Sequence, residues 1–512
     1  MKKVILTALC ISSLQAFAQV PEDAIRYSWF PVNGSARVNS IGGAMGSLSG
    51  DITAAYVNPA GIGFYNTREV MFGLNLLNQN MRTNYRDSIN RTKNNTLLLS
   101  PIGVVVGLGN SRDKKNLTSI AFAVNQTASF NRQYRFRGYN NYSSYSEQFA
   151  EEFANSGYSI DAVLQSNSPI PYTAAPALYT YLIDTVRQLD GSYQVRAAPE
   201  NLLDQGHAVL QDFSYETTGG IYELAATVAT NKGNKWYFGG TIGIPIVSFN
   251  SLTQVTETDT SSVANGFQSF SYKDDFQTTG AGANLKLGAI YRPKDYIRLG
   301  LAFHTPTLLY LTDKRNTSLS TVLDGPSYTV NSNTFTNGSP GRASYLQISP
   351  WKAMISGSYV FREVQDTRKQ RGFLTADIEY VHHRGTSFKS TNEEVTADEK
   401  AYYKSLTRVV KDTYKGAFNF RVGGEVKFNV IMARLGFAYY GNPYKDSPEK
   451  AYQMQLSGGL GYRNHGMFID LGYVHHTVRD QQIPYRLEDR LNTYGTLRNT
   501  RGQIVATVGF KF

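Results

Sequence analysis

The sequence predicts an all-β fold: a transmembrane antiparallel β-barrel of about 14 strands with an N-terminal hatch, or plug, inside its lumen. Two observations predict this fold. From Arg68 onward, apolar residues recur at every second position in about 14 stretches, which is the period of a strand whose two faces meet different surroundings. Short and long links alternate between these stretches, as expected of a barrel with turns at one end and loops at the other.

The individual stretches have the length that a bilayer requires. Apolar residues alternate with polar ones from Tyr452 to Tyr462 and from Phe418 to Val426, and both stretches are close to the roughly 9 to 11 residues that a tilted strand needs to cross a bilayer. The last ten residues also alternate and end in Phe512, which resembles the terminal signal read by the barrel-insertion machinery. An even strand number predicts both termini in the periplasm.

The links follow the same rule along the chain. The short links are rich in Gly, Asn, Asp, Pro or basic residues, which favour turns, and they fall near 109–116, 231–235, 292–296, 362–371, 428–429 and 463–465. The long links fall near 83–93, 135–217, 252–267, 316–341, 389–415, 442–450 and 480–499. Within the long insertion 135–217 and in 389–415, the apolar spacing is compatible with loop helices.

Residues 1–18 have the features of a secretory signal peptide. Lys2 and Lys3 precede an apolar stretch, and Ala16 to Ala18 supply a small-x-small cleavage site. Cys10 is the only cysteine, so the mature chain is predicted to have no disulfide and no thiolate metal site. Loss of the two lysines lowers the formal net charge from +11 to +9, a dispersed excess that does not favour nucleic-acid binding. Export and barrel together predict the outer membrane of a Gram-negative bacterium.

Residues 19–67 are predicted to form the hatch, and 68–512 the barrel. Within residues 19–67, a segment rich in small residues, Gly50-Asp51-x-x-Ala54-Ala55, precedes the motif Asn58-Pro59-Ala60-Gly61. This motif resembles the N-terminal hatch of the FadL-type outer-membrane transporters of long-chain fatty acids and aromatic hydrocarbons. The segments 291–295, 298–301 and 304–306 look like the central hairpin of that family.

The resemblance implies a plugged barrel of 14 strands in which a hydrophobic ligand lands among the outer loops, moves to an internal site and leaves past the hatch or through the wall. The expected function is passive uptake of fatty acid-like or aromatic compounds by a monomer in contact with outer-membrane lipids. No cofactor, metal or enzymatic activity is expected. The insertion 135–217 and the segment 389–415 depart from a minimal barrel, so they leave the substrate open.

Candidate ligand residues are polar side chains predicted to face the lumen. Two segments of similar sequence, 377–383 and 470–476, each end in His-His. Because neighbouring strand residues point to opposite faces, only one His of each pair can face inward, and we assign His383 and His476, with Asp377 and Asp470 below them. The further candidates face the lumen. They are His304 and the charged residues Arg298, Arg421, Glu425 and Arg434, which as a set could hold a carboxylate head group or could pair with one another.

Other functions remain open at this stage. The histidine pairs suggest haem uptake, although neither pair alone is a chelate. A scaffold barrel serving protein secretion or surface attachment would have the same fold and hatch. A hydrolytic enzyme would need a serine and a histidine on one rim, and Ser457 and His465 lie near one short turn without any distinguishing motif.

Overall fold

The computed structural model describes residues 23–108, 116–187, 190–261, 263–361, 371–445 and 451–512. The predicted signal peptide, 1–18, and parts of the predicted links near 109–116, 362–371 and 442–450 lie outside these ranges.

The described chain forms a closed antiparallel barrel of 14 wall strands, which confirms the predicted fold class. The main sheet contains 20 strand segments, because five wall strands are each interrupted once and one short segment pairs with the outer end of a wall strand, beyond the closed barrel. The last strand pairs with the first over 16 residue pairs, from Glu69 with Lys511 to Asn84 with Thr496, so the wall has no free edge. Around the barrel the wall strands are β1 (Arg68–Tyr85), β2 (Ser88–Leu99) with β3 (Ile102–Gly107), β4 (Asn116–Ser129) with β5 (Arg132–Asn140), β8 (Val209–Lys232), β9 (Trp236–Asp259), β10 (Phe267–Lys294), β11 (Ile297–His304) with β12 (Leu308–Leu323), β14 (Gly341–Ile348) with β15 (Lys352–Phe361), β16 (Gly372–Val381) with β17 (Ser387–Ser390), β18 (Ala417–Phe428), β19 (Ile431–Tyr440), β20 (Gln453–Asn464), β21 (Met467–Gln482) and β22 (Gly495–Lys511).

An apolar belt surrounds the wall next to the short turns. Its residues point outward and are exposed, as Leu435, Leu456 and Leu460 illustrate at 73%, 64% and 62% exposure. Aromatic rings border the belt on both sides: Trp236 stacks on Tyr291 at the short-turn end, with ring centroids 4.2 Å apart, and further rings lie at the loop end. An apolar band between two aromatic girdles is the surface that a bilayer selects.

Several strands run further toward the loop end than the alternation predicts. The expected link 83–93 is largely the hairpin of β1 and β2, β9 continues to Asp259, and β12 to Leu323 within the expected link 316–341. Beyond the apolar belt both faces of these strands are polar, so the contrast that reveals a strand in the sequence disappears. The short segment β13 (Ser327–Asn331) pairs with the outer end of β12.

Before β1, the chain enters the barrel as the hatch, here residues 23–67. Its elements are short: α1 (Asp23–Arg26), α2 (Ala36–Ser40), α3 (Ala54–Val57) and a 3₁₀ turn (Pro59–Phe64). Apolar hatch residues pack on small and apolar inward residues of the wall, including Ala225, Ala302 and Met354. Because most of these hatch residues are fully buried, the hatch is part of the interior and not a tail.

The insertion between β5 and β8 folds into an outer lobe at the loop end. It contains α4 (Glu147–Ser156), α5 (Ile160–Val163), α6 (Ala174–Tyr179), α7 (Glu200–Asp204) and a two-stranded sheet of β6 (Ile183–Arg187) and β7 (Tyr193–Ala197). Phe149 and Phe153 of α4 join inward residues of the long strands, such as Phe213 and Tyr272, in one apolar cluster. The lobe therefore fills the outward extension of the barrel.

The segment 389–415 contains the predicted helix, α8 (Ala397–Thr413). Its buried residues Tyr403, Leu406 and Val410 share a cluster with Tyr27 of the hatch segment, so α8 covers the loop end of the interior. Among the described residues, no helix is both long and apolar enough to cross a membrane.

The stability of the outer lobe is expected to depend on pH, because the lobe contains a buried acidic side chain, Glu147. The Glu147 carboxylate accepts a hydrogen bond from Ser144 N at 2.6 Å and lies 3.0 Å from Arg490, but burial raises the pKa of Glu147 to about 7. Because the pKa of Glu147 is higher in the folded lobe than in the unfolded chain, its protonated form stabilises the fold. This stabilisation is complete below the unfolded pKa of about 4.5 and is lost as the pH rises through 7. We expect the lobe to be nicked by added protease faster at pH 8 than at pH 5.

The Glu147→Gln variant should weaken this pH dependence, and the remainder comes from Glu257, which binds the same lobe segment and whose pKa burial also raises to about 7. Glu394→Gln, at an exposed position before α8, should leave the dependence unchanged. Equal pH profiles for wild type and Glu147→Gln would contradict the assignment.

Candidate functional site

The hatch is folded locally by its own polar side chains. Ser35 caps α2 by accepting a hydrogen bond from Val38 N at 3.2 Å, and its hydroxyl donates to Asp51 at 2.5 Å. The Asp51 carboxylate also accepts from Thr53 N at 2.9 Å. The Asp51 carboxylate thus links the start of α2 to the segment before α3, which explains the aspartate in the Gly-Asp-x-x-Ala-Ala segment.

Inward-facing glycines of the wall let the hatch backbone approach the strands closely. A Cβ at Gly436 of β19 or Gly423 of β18 would overlap the backbone of Ile41, and one at Gly300 of β11 would overlap Gly46. A Cβ at Gly239 would likewise overlap the backbone of Pro59, and one at Gly288, Gly459 or Gly472 would overlap a hatch side chain, that of Asn58 or Ser40. Only glycine permits such contact, because any side chain would displace the backbone opposite it.

Hydrogen bonds from hatch amides fix its position on the wall. The Asp377 carboxylate accepts from Met45 N at 3.0 Å and from Gly46 N at 3.1 Å. Gly42 N donates to the Ser457 hydroxyl at 3.1 Å. Asp377 and Ser457 are thus both hatch anchors in this structure.

Asn58 is the residue of the predicted hatch motif that makes most of the wall contacts. Its Oδ1 accepts from Ala60 N at 3.1 Å, with Pro59 as the first residue of the 3₁₀ turn. Its Nδ2 donates to Gly46 O at 2.6 Å and to the β11 carbonyl of Leu301 at 3.2 Å. Ala60 and Gly61 are buried behind it. The side chain therefore joins the turn, the preceding hatch loop and the wall.

We expect Asn58→Ala to loosen the hatch without unfolding the barrel. The change leaves buried carbonyls without donors, each costing about 1 to 3 kcal/mol. Amide hydrogen exchange within residues 41–63 should accelerate, while exchange in β18 to β22 should not. The control is Asn66→Ala, at an exposed position of the same segment. Identical hatch exchange in Asn58→Ala and Asn66→Ala would show that Asn58 anchors nothing.

A buried charge network lies beside the hatch. Arg434 contacts Glu425 and Asp470, each at 2.6 Å, and Glu425 also contacts hatch residue Arg37 at 3.4 Å. The inward charges on the wall therefore largely neutralise one another and hold the hatch, as buried ion pairs must.

A second group of charges surrounds Arg421, which is 2% exposed. Its guanidinium lies 3.6 Å from Asp377 and 3.5 Å from Glu379, and it contacts the sulfur of Met354 at 3.0 Å. Arg421 thus connects the hatch anchor Asp377 to the cavity above it.

An internal cavity of about 130 Å³ lies between the hatch and the wall. Hatch residues around Tyr27, Phe30 and Val57 supply most of its apolar lining, and inward residues of the wall supply most of its polar lining. The wall residues that line it are Asn125, Thr127, Glu223, Asn284, Lys286, His304, Thr305, Thr307, Ser349, Pro350, Lys352, Glu379 and Arg421. The lining therefore combines apolar and aromatic groups with both cations and acids.

The polar groups of the cavity are arranged by strand register. Lys286, His304 and Lys352 are direct cross-strand neighbours on β10, β11 and β15. Lys286 pairs with Glu223, and Lys352 Nζ lies 5.3 Å from the ring centroid of Phe30. His304 Nε2 donates to Val57 O at 3.0 Å. Burial, reinforced by the Glu223 carboxylate, raises the pKa of the Tyr56 phenol on the hatch side.

The predicted ligand residues are divided between the cavity and the hatch contacts. His304 and Arg421 line the cavity. Glu425 and Arg434 belong to the charge network, and Arg298 donates to Ser49 Oγ of the hatch at 3.0 Å. The sequence did not identify Lys286 and Lys352, although a charge at an inward position of an otherwise apolar strand is a usable signal.

His383 and His476 are buried inside the barrel, at 0% and 2% exposure, and neither lines the cavity. Within the described ranges, no group of three or more His, Cys, Asp or Glu residues is placed to hold a metal ion.

The wall is interrupted on three consecutive strands beside the cavity. Pro306 and Pro350 separate β11 from β12 and β14 from β15, and a 3₁₀ turn (His383–Gly385) separates β16 from β17. Proline lacks the amide that a ladder needs. Side chains partly replace the missing bonds, since Thr305 Oγ1 accepts from Leu285 N at 3.0 Å and Ser349 Oγ from Thr307 N at 2.9 Å.

The outer surface next to these interruptions is an apolar hollow of about 500 Å³. Small outward residues, Ala289 and Ala353, form its floor. The larger residues around it are Leu287, Leu301, Phe303, Ile355, Ile378, Tyr380 and Phe418. The cavity and the hollow therefore lie on opposite sides of one weakened part of the wall.

Solved structures similar to this chain share its architecture. A FadL homologue of Pseudomonas aeruginosa is 14% identical, with 93% of this chain and 98% of that one covered and a TM-score of 0.52. The toluene transporter TodX of Pseudomonas putida is 14% identical, with 94% and 98% covered and a TM-score of 0.51. A deltaS2 mutant of the TodX monoaromatic hydrocarbon channel is 13% identical, with 94% and 99% covered and a TM-score of 0.53.

The chain has the FadL-type fold. The likeness extends over almost the whole of each protein, and it includes the N-terminal plug that Asn58 to Gly61 predicted. No family model matches this sequence, and no curated protein matches it.

Proposed function

We propose that this protein is an outer-membrane channel for passive uptake of small hydrophobic molecules, with fatty acid-like compounds favoured among them. The observation that carries the proposal is a cavity between a buried hatch and an interrupted wall, whose lining combines apolar rings with cationic side chains. An apolar molecule gains nothing from a water-filled pore, whereas it gains from a plugged lumen with a lined pocket.

The cations of the cavity lining support a substrate with an anionic head. Lys286 and Arg421 are paired with Glu223 and Glu379, so Lys352 is the lining cation best placed to bind a carboxylate by a charge-assisted hydrogen bond. The apolar hollow outside the same part of the wall supports release sideways into the membrane. The periplasmic placement of both termini belongs to this proposal. For the C-terminus it is supported by the end of β22 beside a short turn, where Lys511 N donates to Gly466 O at 2.8 Å.

The similar solved structures include a toluene transporter and a monoaromatic hydrocarbon channel, which supports uptake over a secretion scaffold, a haem receptor or an enzyme. We propose that the protein works as a monomer, since one chain closes the wall.

Binding to the purified barrel tests the proposal. Dodecanoate and toluene should be titrated calorimetrically into wild type, Lys352→Gln and the control Lys314→Gln, whose side chain is exposed on the outside of β12. We expect dodecanoate to bind wild type and Lys314→Gln, and Lys352→Gln to bind it about ten-fold more weakly, as loss of one charge-assisted hydrogen bond predicts. Toluene has no head group, so its binding should not respond to Lys352. Absence of binding by both compounds would refute the proposal.

A further inference from the structure

Basic side chains form an outward row above the apolar belt on β22, β1 and β2. Along β1 the outward residues are apolar from Val70 to Leu76 and then polar. Further out, Arg82 lies directly opposite Arg498 of β22 and Arg91 of β2, and Lys93 lies opposite Asn80. All four basic side chains, Arg82, Arg91, Lys93 and Arg498, are exposed, and they are called the basic row below.

Such a row is costly without an anion. Like charges placed directly opposite each other on neighbouring strands destabilise a sheet. Among the side chains that the structure describes, which leave out those of 479–481, no acidic group lies within ion-pair distance of these four. Elsewhere on the outer surface the basic residues are mixed with acids, as Lys314 is with Glu216 and Asp275. The charge complementarity of the row therefore points to an external anion.

A ladder of asparagines separates the basic row from the apolar belt. Asn78 Nδ2 donates to Asn95 Oδ1 at 2.5 Å, and Asn80 Nδ2 donates to Asn78 Oδ1 at 3.3 Å, all on the exposed face. Below the ladder lie Leu76 and Leu97, which are opposite each other and exposed. From the belt outward, one strip thus presents groups suited to acyl chains, hydroxyls and anions in turn.

The spacing of these groups selects a large head group. Lys93 is four residues and Arg82 six residues beyond the last apolar pair, or roughly 13 and 20 Å along the strands. With strands tilted by about 40° this becomes roughly 10 to 15 Å above the belt. A simple phospholipid carries its phosphate about 5 to 8 Å beyond the hydrocarbon, below the backbone of the row, so the basic side chains would have to bend back toward the belt to reach it. A phosphate on a saccharide head group stands higher.

We propose that the strip formed by the basic row, the asparagine ladder and the belt below it binds a lipid whose head group is a phosphorylated saccharide. This inference rests on the membrane placement in the proposed function. The phosphates contact the basic row, the sugar hydroxyls contact the asparagine ladder, and the acyl chains lie on the belt. The bound lipid relieves the repulsion between the opposed arginines.

The test measures lipid retention by the full barrel in detergent. Bisphosphorylated lipid A, the same lipid after phosphatase treatment, and phosphatidylglycerol are each mixed with wild type, with R82S/R91S/K93S/R498S, and with the control K273S/K314S/R342S/K389S. The control removes four exposed basic side chains from the outer face of β10, β12, β14 and β17. Retained lipid is counted by native mass spectrometry, with inorganic phosphate added as a competitor.

We expect the basic-row variant to retain lipid A less well by on the order of a hundred-fold, since each basic residue near an anionic surface contributes to the attraction. Wild type should lose the dephosphorylated lipid, and the control variant should behave as wild type does. Equal retention by the basic-row variant, equal retention of the dephosphorylated lipid or of phosphatidylglycerol, or complete displacement by inorganic phosphate would overturn the inference. Flotation of the same samples with liposomes tests separately whether the protein enters a membrane. A barrel that floats with the liposomes but retains no lipid A contradicts only the lipid-binding inference, whereas a barrel that does not float contradicts the membrane location in the proposed function.

Discussion

A Gly436→Val barrel should lose the seal between hatch and wall. The Cβ of any residue at 436 would overlap the hatch backbone at Ile41 and Gly42, with Ile41 Cα only 2.6 Å away. Neither partner can yield cheaply, because both are backbone in a packed interior, where overpacking costs about 1 to 3 kcal/mol and occasionally more. The hatch, held by hydrogen bonds at Asp377 and Ser457, is less stable than the wall and should move first.

The expected result is a rise in ion conductance. Single barrels in planar bilayers should be nearly closed as wild type and should open to frequent, large conductance steps as Gly436→Val. The matched control is Gly357→Val on β15, where an added Cβ meets nothing within 4 Å. Both variants should keep the heat-dependent gel mobility of a folded barrel. If Gly436→Val conducts no more than Gly357→Val while folded, the hatch does not depend on the wall glycines.

Arg434→Leu should be the most destabilising single change in the charge network. The Arg434 side chain is fully buried, at 0% exposure, between Glu425 and Asp470. Its removal leaves two buried carboxylates short of a partner, and loss of one member of a buried ion pair costs about 3 to 5 kcal/mol. The midpoint of urea unfolding should fall accordingly, and the hatch should loosen, because Glu425 also holds Arg37.

The control for this change is Arg463→Leu, since Arg463 is 30% exposed and 3.8 Å from Asp470. Partly exposed pairs at such distances contribute about 1 kcal/mol or less. Adding Asp470→Asn to Arg434→Leu should recover part of the loss by removing one uncompensated charge. Equal unfolding midpoints for Arg434→Leu and Arg463→Leu would contradict the role of the network.

The barrel could be predicted from the sequence because the bilayer imposes a contrast on every wall strand. Outward residues such as Leu456 and Leu460 alternate with inward polar ones, and the period survives in each strand separately. The outward extensions could not be predicted in the same way, because around Arg91 and Asn94 both faces of the strand are polar. The alternation in the sequence therefore predicts the part of each strand that lies in the apolar belt, but not the full length of the strand.

The site was predicted only where a local signal exists. Asn58 and Pro59 form a turn whose chemistry is local, so the motif indicated it. The contact of Gly436 with Ile41, in contrast, joins residues almost 400 positions apart, and nothing near either residue records it. The pairing of Lys286, His304 and Lys352 also depends on strand register, which is fixed only once the barrel closes.

Uptake by intact cells tests the central proposal most directly. Radiolabelled dodecanoate should enter Gram-negative cells that lack their own transporter faster, and in a saturable way, when this barrel is present in their outer membrane. The comparison is with cells that carry the empty vector. Equal entry rates, with the folded barrel demonstrated in the outer membrane, would contradict a channel for hydrophobic molecules.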